Sequence, residues 1–166
     1  IRGLGCRGII DNNYFKQIDT AEKAYLLGII QTDGSIVNKP GHKSVHITQH
    51  KDYSWYIKDM LLQIKDKITC SPDNNCTHLQ FGSNDIVDDL VSIGIIPNKT
   101  YDQSAEDIDK LWNSIPEEYK RDFIRGLIDG DGWVRYFIQK RGVNESCNIG
   151  FCSHNQHIVD ILINYI

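Results

Sequence analysis

The chain predicts an α+β fold built from two copies of one helix-and-hairpin unit, the second copy incomplete. Three observations predict it. "YLLGIIQTDGSI" (Tyr25–Ile36) and "FIRGLIDGDGWV" (Phe123–Val134) align without gaps at an offset of 98 residues. Each copy reads as an apolar helix that stops at Asp-Gly. Each is followed by alternating apolar and polar residues around turn-forming ones.

Residues 1–18 are glycine-rich and carry Arg2 and Arg7, the composition of a linker or arm. Asp19-Thr-Ala-Glu22 then reads as a capping box with Asp19 at the N-cap. The helix it opens runs about 13–15 residues to Asp33, with Gly34 as the left-handed terminator. "SIVNKPGHKSVHITQH" predicts two short strands about a Pro-Gly turn, because Val45 and Ile47 alternate with Ser44, His46 and Thr48. "DYSWYIKDMLLQI" has helical spacing, its apolar face being Trp55, Ile57, Met60, Leu61 and Ile64. Tyr53, Trp55 and Tyr56 read as core on the same ground. "DKITCSPDNNCTHLQFGS" predicts a second hairpin and "NDIVDDLVSIGI" a closing helix near Gly94. A first unit thus covers 19–100, and a linker 101–113.

The order then restarts. Ser114-Ile-Pro-Glu117 reads as a second capping box, with Pro116 in the first turn where a missing N–H does no harm. The helix ends at Asp131-Gly132. "WVRYFIQKRG" and "SCNIGFCSHN" pair as a hairpin, and "QHIVDILINYI" begins a helix. The second unit, 114–166, stops inside an apolar helical pattern, so the chain is expected to be a fragment of a longer one.

Composition bounds the function. Forty per cent hydrophobic and 24% charged residues fit a folded domain. No apolar run approaches the ~18 residues of a membrane span, and no signal peptide is visible. Five cysteines without a Cys-x-x-Cys pair point to reduced thiols, hence to a cytoplasmic or organellar rather than a secreted protein. Cys70, Cys76 and His78 match no zinc spacing. The net charge of −4 argues against a wholly basic nucleic-acid binder. Twelve of the 22 acids, however, lie between Asp85 and Asp131, which leaves room for local basic faces.

The repeated helix breaks two local rules. A glycine inside a helix costs about 1 kcal/mol relative to alanine, yet Gly28, Gly126 and Gly130 all sit there. A carboxylate at a helix C-terminus faces the negative end of the macrodipole, yet Asp33 and Asp131 both sit there. Glycines permit two helices to approach backbone to backbone, so Gly28 and Gly126 mark a helix–helix seam. Such a seam brings Asp33 and Asp131 together. Two close carboxylates need a cation or a proton. Mg2+ suits them, because it is held by one or two carboxylates together with substrate phosphates. Such a site serves metal-assisted phosphodiester hydrolysis.

"LLGIIQTDG" (Leu26–Gly34) and "IRGLIDGDG" (Ile124–Gly132) resemble the two signature helices of LAGLIDADG homing endonucleases. The resemblance implies two pseudo-symmetric αββαββα units whose antiparallel sheets form a saddle on double-stranded DNA, with the signature helices at the interface. It also implies a monomeric, site-specific double-strand endonuclease, encoded by an intron or a free-standing mobile gene. The metal-binding acids carry over to Asp33 and Asp131, and the interface positions to Gly28 and Gly126. The earlier acid of the motif is Gln31 in one copy and Asp129 in the other. A lysine near the attacking water, common in the link between units, carries over to Lys99 in "IPNKTYD".

Polar residues alternating with core residues on the strands are the expected DNA contacts. In the first unit these are Asn38, Lys39, Lys43, Ser44, His46, Thr48, Thr77 and Gln80; in the second, Arg135, Gln139, Arg141, Asn148 and Ser153. Two other readings use the same residues. One is a non-cleaving DNA-binding regulator or RNA-splicing maturase on this fold. The other is a structural repeat whose Asp-Gly pairs are only helix ends.

Overall fold

The computed structural model describes residues 11–138 and 145–165. Its elements run α1 (Ala21–Asp33), β1 (Gly34–Lys39), β2 (His42–His50), α2 (Ser54–Leu62), β3 (Thr69–Asp73), β4 (Cys76–Gly82) and α3 (Asn84–Ser92). Then follow a one-turn α4 (Lys99–Asp102), α5 (Ala105–Ser114), a 3-10 turn (Glu117–Tyr119), α6 (Lys120–Asp131), β5 (Gly132–Ile138), β6 (Glu145–Phe151) and α7 (Gln156–Tyr165). The architecture is α+β. The first four strands form one antiparallel sheet in the order β1-β2-β4-β3, and β5 pairs with β6 in a separate ribbon.

Every residue of α1 from Ala24 to Ile30 is buried. A helix that is apolar on all sides belongs in the middle of a fold. On one side it meets α6, at the two glycines. A Cβ built on Gly28 would stand 2.3 Å from the Phe123 carbonyl oxygen, and one on Gly126 would stand 2.2 Å from that of Tyr25. The contact is reciprocal, and both obstacles are backbone. On the other side Ile36, Val45, Ile47, Leu79 and Phe81 form the buried face of the sheet. With Ile57, Leu61, Ile86 and Leu90 of α2 and α3 they make one continuous core. The opposite face of the sheet is covered by none of the described helices.

Several local expectations change. The N-cap of α1 is Thr20, whose Oγ1 accepts from the Lys23 N–H at 3.2 Å, while Asp19 instead pairs with the Lys23 ammonium at 2.7 Å. Ser114 opens nothing: it is the last residue of α5 and its hydroxyl donates to the Leu111 carbonyl at 2.7 Å. The capping box lies ten residues earlier, Ser104 with Asp107, inside the stretch read as a linker. Helix α6 starts from the 3-10 turn that follows Pro116.

Gly34 and Gly132 are not left-handed terminators. Both are extended, at φ −87° and −105°. Glycine is required because the strand leaves against the helix it has just ended: a Cβ would stand 2.4 Å from the Ile30 oxygen at Gly34 and 2.6 Å from the Ile128 oxygen at Gly132. The aromatic expectation also fails. Tyr53, Trp55 and Tyr56 are 68%, 62% and 41% exposed, because α2 buries only its Ile57, Met60 and Leu61 side. With Trp133 and Tyr25 they wall an open groove of about 510 Å³.

Candidate active site

The close approach at Gly28 and Gly126 aligns α1 and α6 so that both end at one place, and each ends on its aspartate. A Cβ on Gly130 would come 1.9 Å from Thr32 Oγ1 and 3.2 Å from Asp33 Oδ2. The glycine at the penultimate position of α6 is thus what lets its last turn pass the end of α1. The Thr32 hydroxyl is occupied meanwhile with its own helix, donating to the Gly28 and Ile29 carbonyls at 3.1 and 3.2 Å. Among the described residues no cluster of three or more His, Cys, Asp or Glu side chains forms a metal cage. Two carboxylates are the acidic complement of the site.

Three polar groups set the charge there. Asp33 is half-buried, and burial first, with the neighbouring Asp131 second, pushes its carboxyl up to about 6. The Gln49 amide opposes this by donating to Asp33 Oδ2. Burial raises Asp131 as well, and Lys99 holds it down. Lys99 reaches in from the start of α4. Its ammonium donates to the Gly34 carbonyl and, at 3.4 Å, to the Thr32 carbonyl, both at the C-terminal end of α1. Burial lowers its pKa, and the two aspartates work against that shift. The ammonium therefore offsets both carboxylates and the exposed negative end of the helix.

This donor set fits a hard divalent cation. It offers two carboxylates, at least one of them poorly neutralised by the protein, and no sulfur or imidazole. Two protein ligands are what Mg2+ or Mn2+ uses when water and phosphate complete its shell.

Gln49 was not anticipated from the sequence, although a signal was present. In β2 the odd positions Val45 and Ile47 point into the core, so a glutamine next in that series is a polar group aimed inward. Ser153 holds the corresponding register on the ribbon, two residues past Phe151, which faces Gly132 as Ile47 faces Gly34. Its hydroxyl accepts from the Asn155 N–H at 3.2 Å.

The earlier motif positions turn away from the aspartate pair. Gln31 exchanges amide hydrogen bonds with Gln103, at 2.7 and 3.1 Å, and Gln103 also donates to the Gly94 carbonyl at 2.8 Å. Asp129 accepts from the Tyr25 hydroxyl at 3.0 Å, with the Arg125 guanidinium over the Tyr25 ring.

Register sorts the expected nucleic-acid contacts by sheet face. His46 stands opposite Ser35 and Gln80, and Thr48 opposite His78, on the open face; Lys39 joins them beside His42. Four of the expected residues do not share that exposed surface. Lys43 is on the core side, ion-paired with Asp88 of α3. Asn38 is its cross-strand partner and follows it there. Thr77 lies opposite Gln49, also on the core side. Ser44 has the right parity but is 1% exposed and shares a hydrogen bond with His46 Nε2 at 2.8 Å. On the ribbon, Arg135 and Asn148 are direct cross-strand partners and both exposed. Gln139 and Arg141 lie outside the described residues.

No family model matches the sequence, and no curated protein matches it. Solved structures do resemble the fold. A lysine double mutant of I-SmaMI superposes at TM-score 0.55 with 13% identity, covering 86% of this chain and 71% of the other. The meganuclease I-SmaMI bound to uncleaveable DNA gives 0.54, 13%, 86% and 71%. A variant of I-DmoI in complex with its target DNA and 2 mM Mn gives 0.50, 17%, 84% and 89%. Across such neighbours the chain spans from 58% to 94% of the other chain's length. At these identities the likeness establishes the fold.

Proposed function

We propose that the chain is a LAGLIDADG-type, metal-dependent, site-specific double-strand DNA endonuclease, built from two pseudo-symmetric units whose signature helices are α1 and α6. The observation that carries this reading is the meeting of Asp33 and Asp131 at matched helix ends, with Lys99 offsetting their charge. A purely structural repeat has no use for that arrangement. It puts two carboxylates and a partly desolvated ammonium at one point, and each loses solvation there. Neighbours of the same fold that are bound to DNA support the choice of substrate.

A divalent cation, Mg2+ or Mn2+, held by Asp33 and Asp131 would supply Lewis-acid polarisation at a phosphodiester. The protein's own groups prepare the site. Gln49 fixes the rotamer of Asp33 by donating to Oδ2. The Lys99 ammonium is anchored on two backbone carbonyls, which holds a positive charge where a phosphate would enter. The open face of the four-stranded sheet and the β5–β6 ribbon flank the helix ends and would lie along the duplex on either side. The protein would work as a monomer, since both aspartates come from one chain.

The test is cleavage of the uninterrupted host locus by the complete reading frame with Mg2+ or Mn2+, beside Asp33→Asn and Asp131→Asn. One double-strand break by the wild type, with both variants binding but not cutting, is the expected result. Binding of DNA or intron RNA without any cleavage would make the protein a regulator or maturase. Binding to neither would return the aspartates to the role of helix ends.

A further inference from the structure

The open face of the four-stranded sheet carries an unusual set of side chains for a surface meant to meet phosphates. The alternation of β2 places His42, Ser44, His46, Thr48 and His50 on that face. Register adds His78 of β4 opposite Thr48, Gln80 opposite His46, and Ser71 and Thr69 of β3 beyond them. Lys39 is the one permanent cation among the strand residues of this face, and Asp73 the one permanent anion. Lys43, the other strand lysine of the sheet, is on the far side and neutralised by Asp88. Four imidazoles thus stand where arginines and lysines would be expected.

We infer that His42, His46, His50 and His78 are the phosphate- and base-contacting residues of this sheet, so that its grip on duplex DNA is taken up together with protons. The inference rests on the DNA-binding reading of the fold and adds which residues do the binding. Imidazole is the side chain whose charge changes near neutral pH. Neutral, it can accept or donate one hydrogen bond to a base edge; protonated, it donates two and neutralises a phosphate. A permanently basic face would bind any duplex at any pH. This one carries only the positive charge of Lys39 until its imidazoles are protonated, and otherwise relies on polar contacts from Thr48, Gln80 and Ser71.

The surroundings of each imidazole favour this role to different degrees. His78 shares a hydrogen bond with Thr48 at 2.9 Å and lies 3.9 Å from Asp73. His50 lies 3.5 Å from Asp52 and beside the Tyr53 ring. His42 adjoins Lys39 across the strands. Burial and the nearby His42 lower the pKa of His46, which therefore charges at more acidic pH. Helices α1, α2 and α3 pack on the opposite face, against Ile36, Val45, Ile47, Leu79 and Phe81, and the charged pair on that side, Lys43 with Asp88, is closed on itself. A two-stranded ribbon fits the major groove of B-DNA, whereas the deep, narrow major groove of an RNA duplex excludes side chains.

The test is equilibrium binding of the intact chain to a DNA duplex in EDTA, at about pH 7.5 and about pH 5.5, over a range of salt. EDTA keeps metal off Asp33 and Asp131, and because the Asp33 carboxyl near 6 changes charge between these pH values in every protein compared, the difference between proteins is what reads the histidines. The wild type is expected to bind about tenfold tighter at the lower pH. Its log–log salt slope should steepen by about 2, as for two further neutralised phosphates at roughly 0.9 each. The variant with His42, His46, His50 and His78 all changed to Gln should bind more weakly than the wild type at both pH values and show neither the added affinity nor the added salt slope at the lower one. Because that variant could fail to fold, His50→Gln and His78→Gln alone, both at exposed positions, should each remove part of the added slope. His157→Gln, an imidazole paired with Asp109 away from the sheet, should remove none. Equal gains in the wild type and the four-histidine variant would overturn the inference and leave the DNA reading standing. Equal affinity for an RNA duplex would also overturn it. Failure to bind DNA at either pH would overturn the DNA reading itself.

Discussion

Asp33→Asn should make the metal-free protein more stable, by a margin that grows above about pH 4 and is complete above about pH 6. The folded state holds this carboxyl near 6 against an ordinary value of 3.8, through burial and the charge of Asp131. The raised value fixes the sign. Below the unfolded value the group is protonated in both states and contributes nothing against folding. As pH rises from 3.8 to about 6 the unfolded chain gives up its proton while the folded protein keeps it, so stability is lost across that window and stays lost above it. A shift of about two units corresponds to nearly 3 kcal/mol at 1.36 kcal/mol per unit. Because the side chain is partly solvated, about 1–2 kcal/mol is the effective figure. Asparagine is nearly isosteric, keeps a carbonyl for Gln49 to donate to, and carries no charge. Thermal melts in EDTA should therefore show no difference near pH 4 and a gain of roughly 3–6 °C near pH 8. Adding Mg2+ or Mn2+ at pH 8 should raise the wild-type midpoint and close the gap, since the cation supplies the missing charge. A variant no more stable than wild type at pH 8, or a gain independent of pH, would refute the claim that the two carboxylates strain the fold.

Three further outcomes follow from the same geometry. Gly126→Ala should cost 3 kcal/mol or so and abolish soluble folding at 37 °C, read by melts and gel filtration, because its Cβ would meet the Tyr25 carbonyl at 2.2 Å and neither backbone can move away. Gln49→Ala should leave DNA affinity within about threefold and cut the cleavage rate by about 10². It removes the donor that orients Asp33, so the loss should appear in single-turnover rates rather than in binding. Lys99→Met should abolish cleavage and also destabilise the protein by about 1–3 kcal/mol, because the Thr32 and Gly34 carbonyls lose their buried donor. If Lys99→Met cuts DNA normally, the ammonium is only a helix-end partner.

Much of the molecule is legible in its sequence for a local reason. The two helices, three hairpins and the helices after them are declared by short-range periodicity and by Pro, Gly and Asn at the turns. The repeat located the aspartate pair because the glycine that admits a partner helix and the acid at the helix end belong to the same copied motif. Sheet faces were legible too, by parity: Val45 and Ile47 in the core already place Lys43 and Gln49 on their side and His46 and Thr48 on the other. Reading polarity without parity put Lys43, Asn38 and Thr77 on the wrong face.

Tertiary structure alone decided the rest. Nothing in "IPNKTYD" shows that the Lys99 ammonium closes on the end of α1, because 65 residues separate it from Gly34 and the seat is made of carbonyls that every residue has. The exposure of Trp55 and Tyr53 depends on what packs against α2, which helical spacing cannot report. The extended conformation of Gly34 and Gly132 follows from a strand folding back on its own helix, where glycine answers a clash and not a torsion. Local pattern determines which elements form. The distances at which they meet, and hence the charge on Asp33, come from packing that many distant residues settle together.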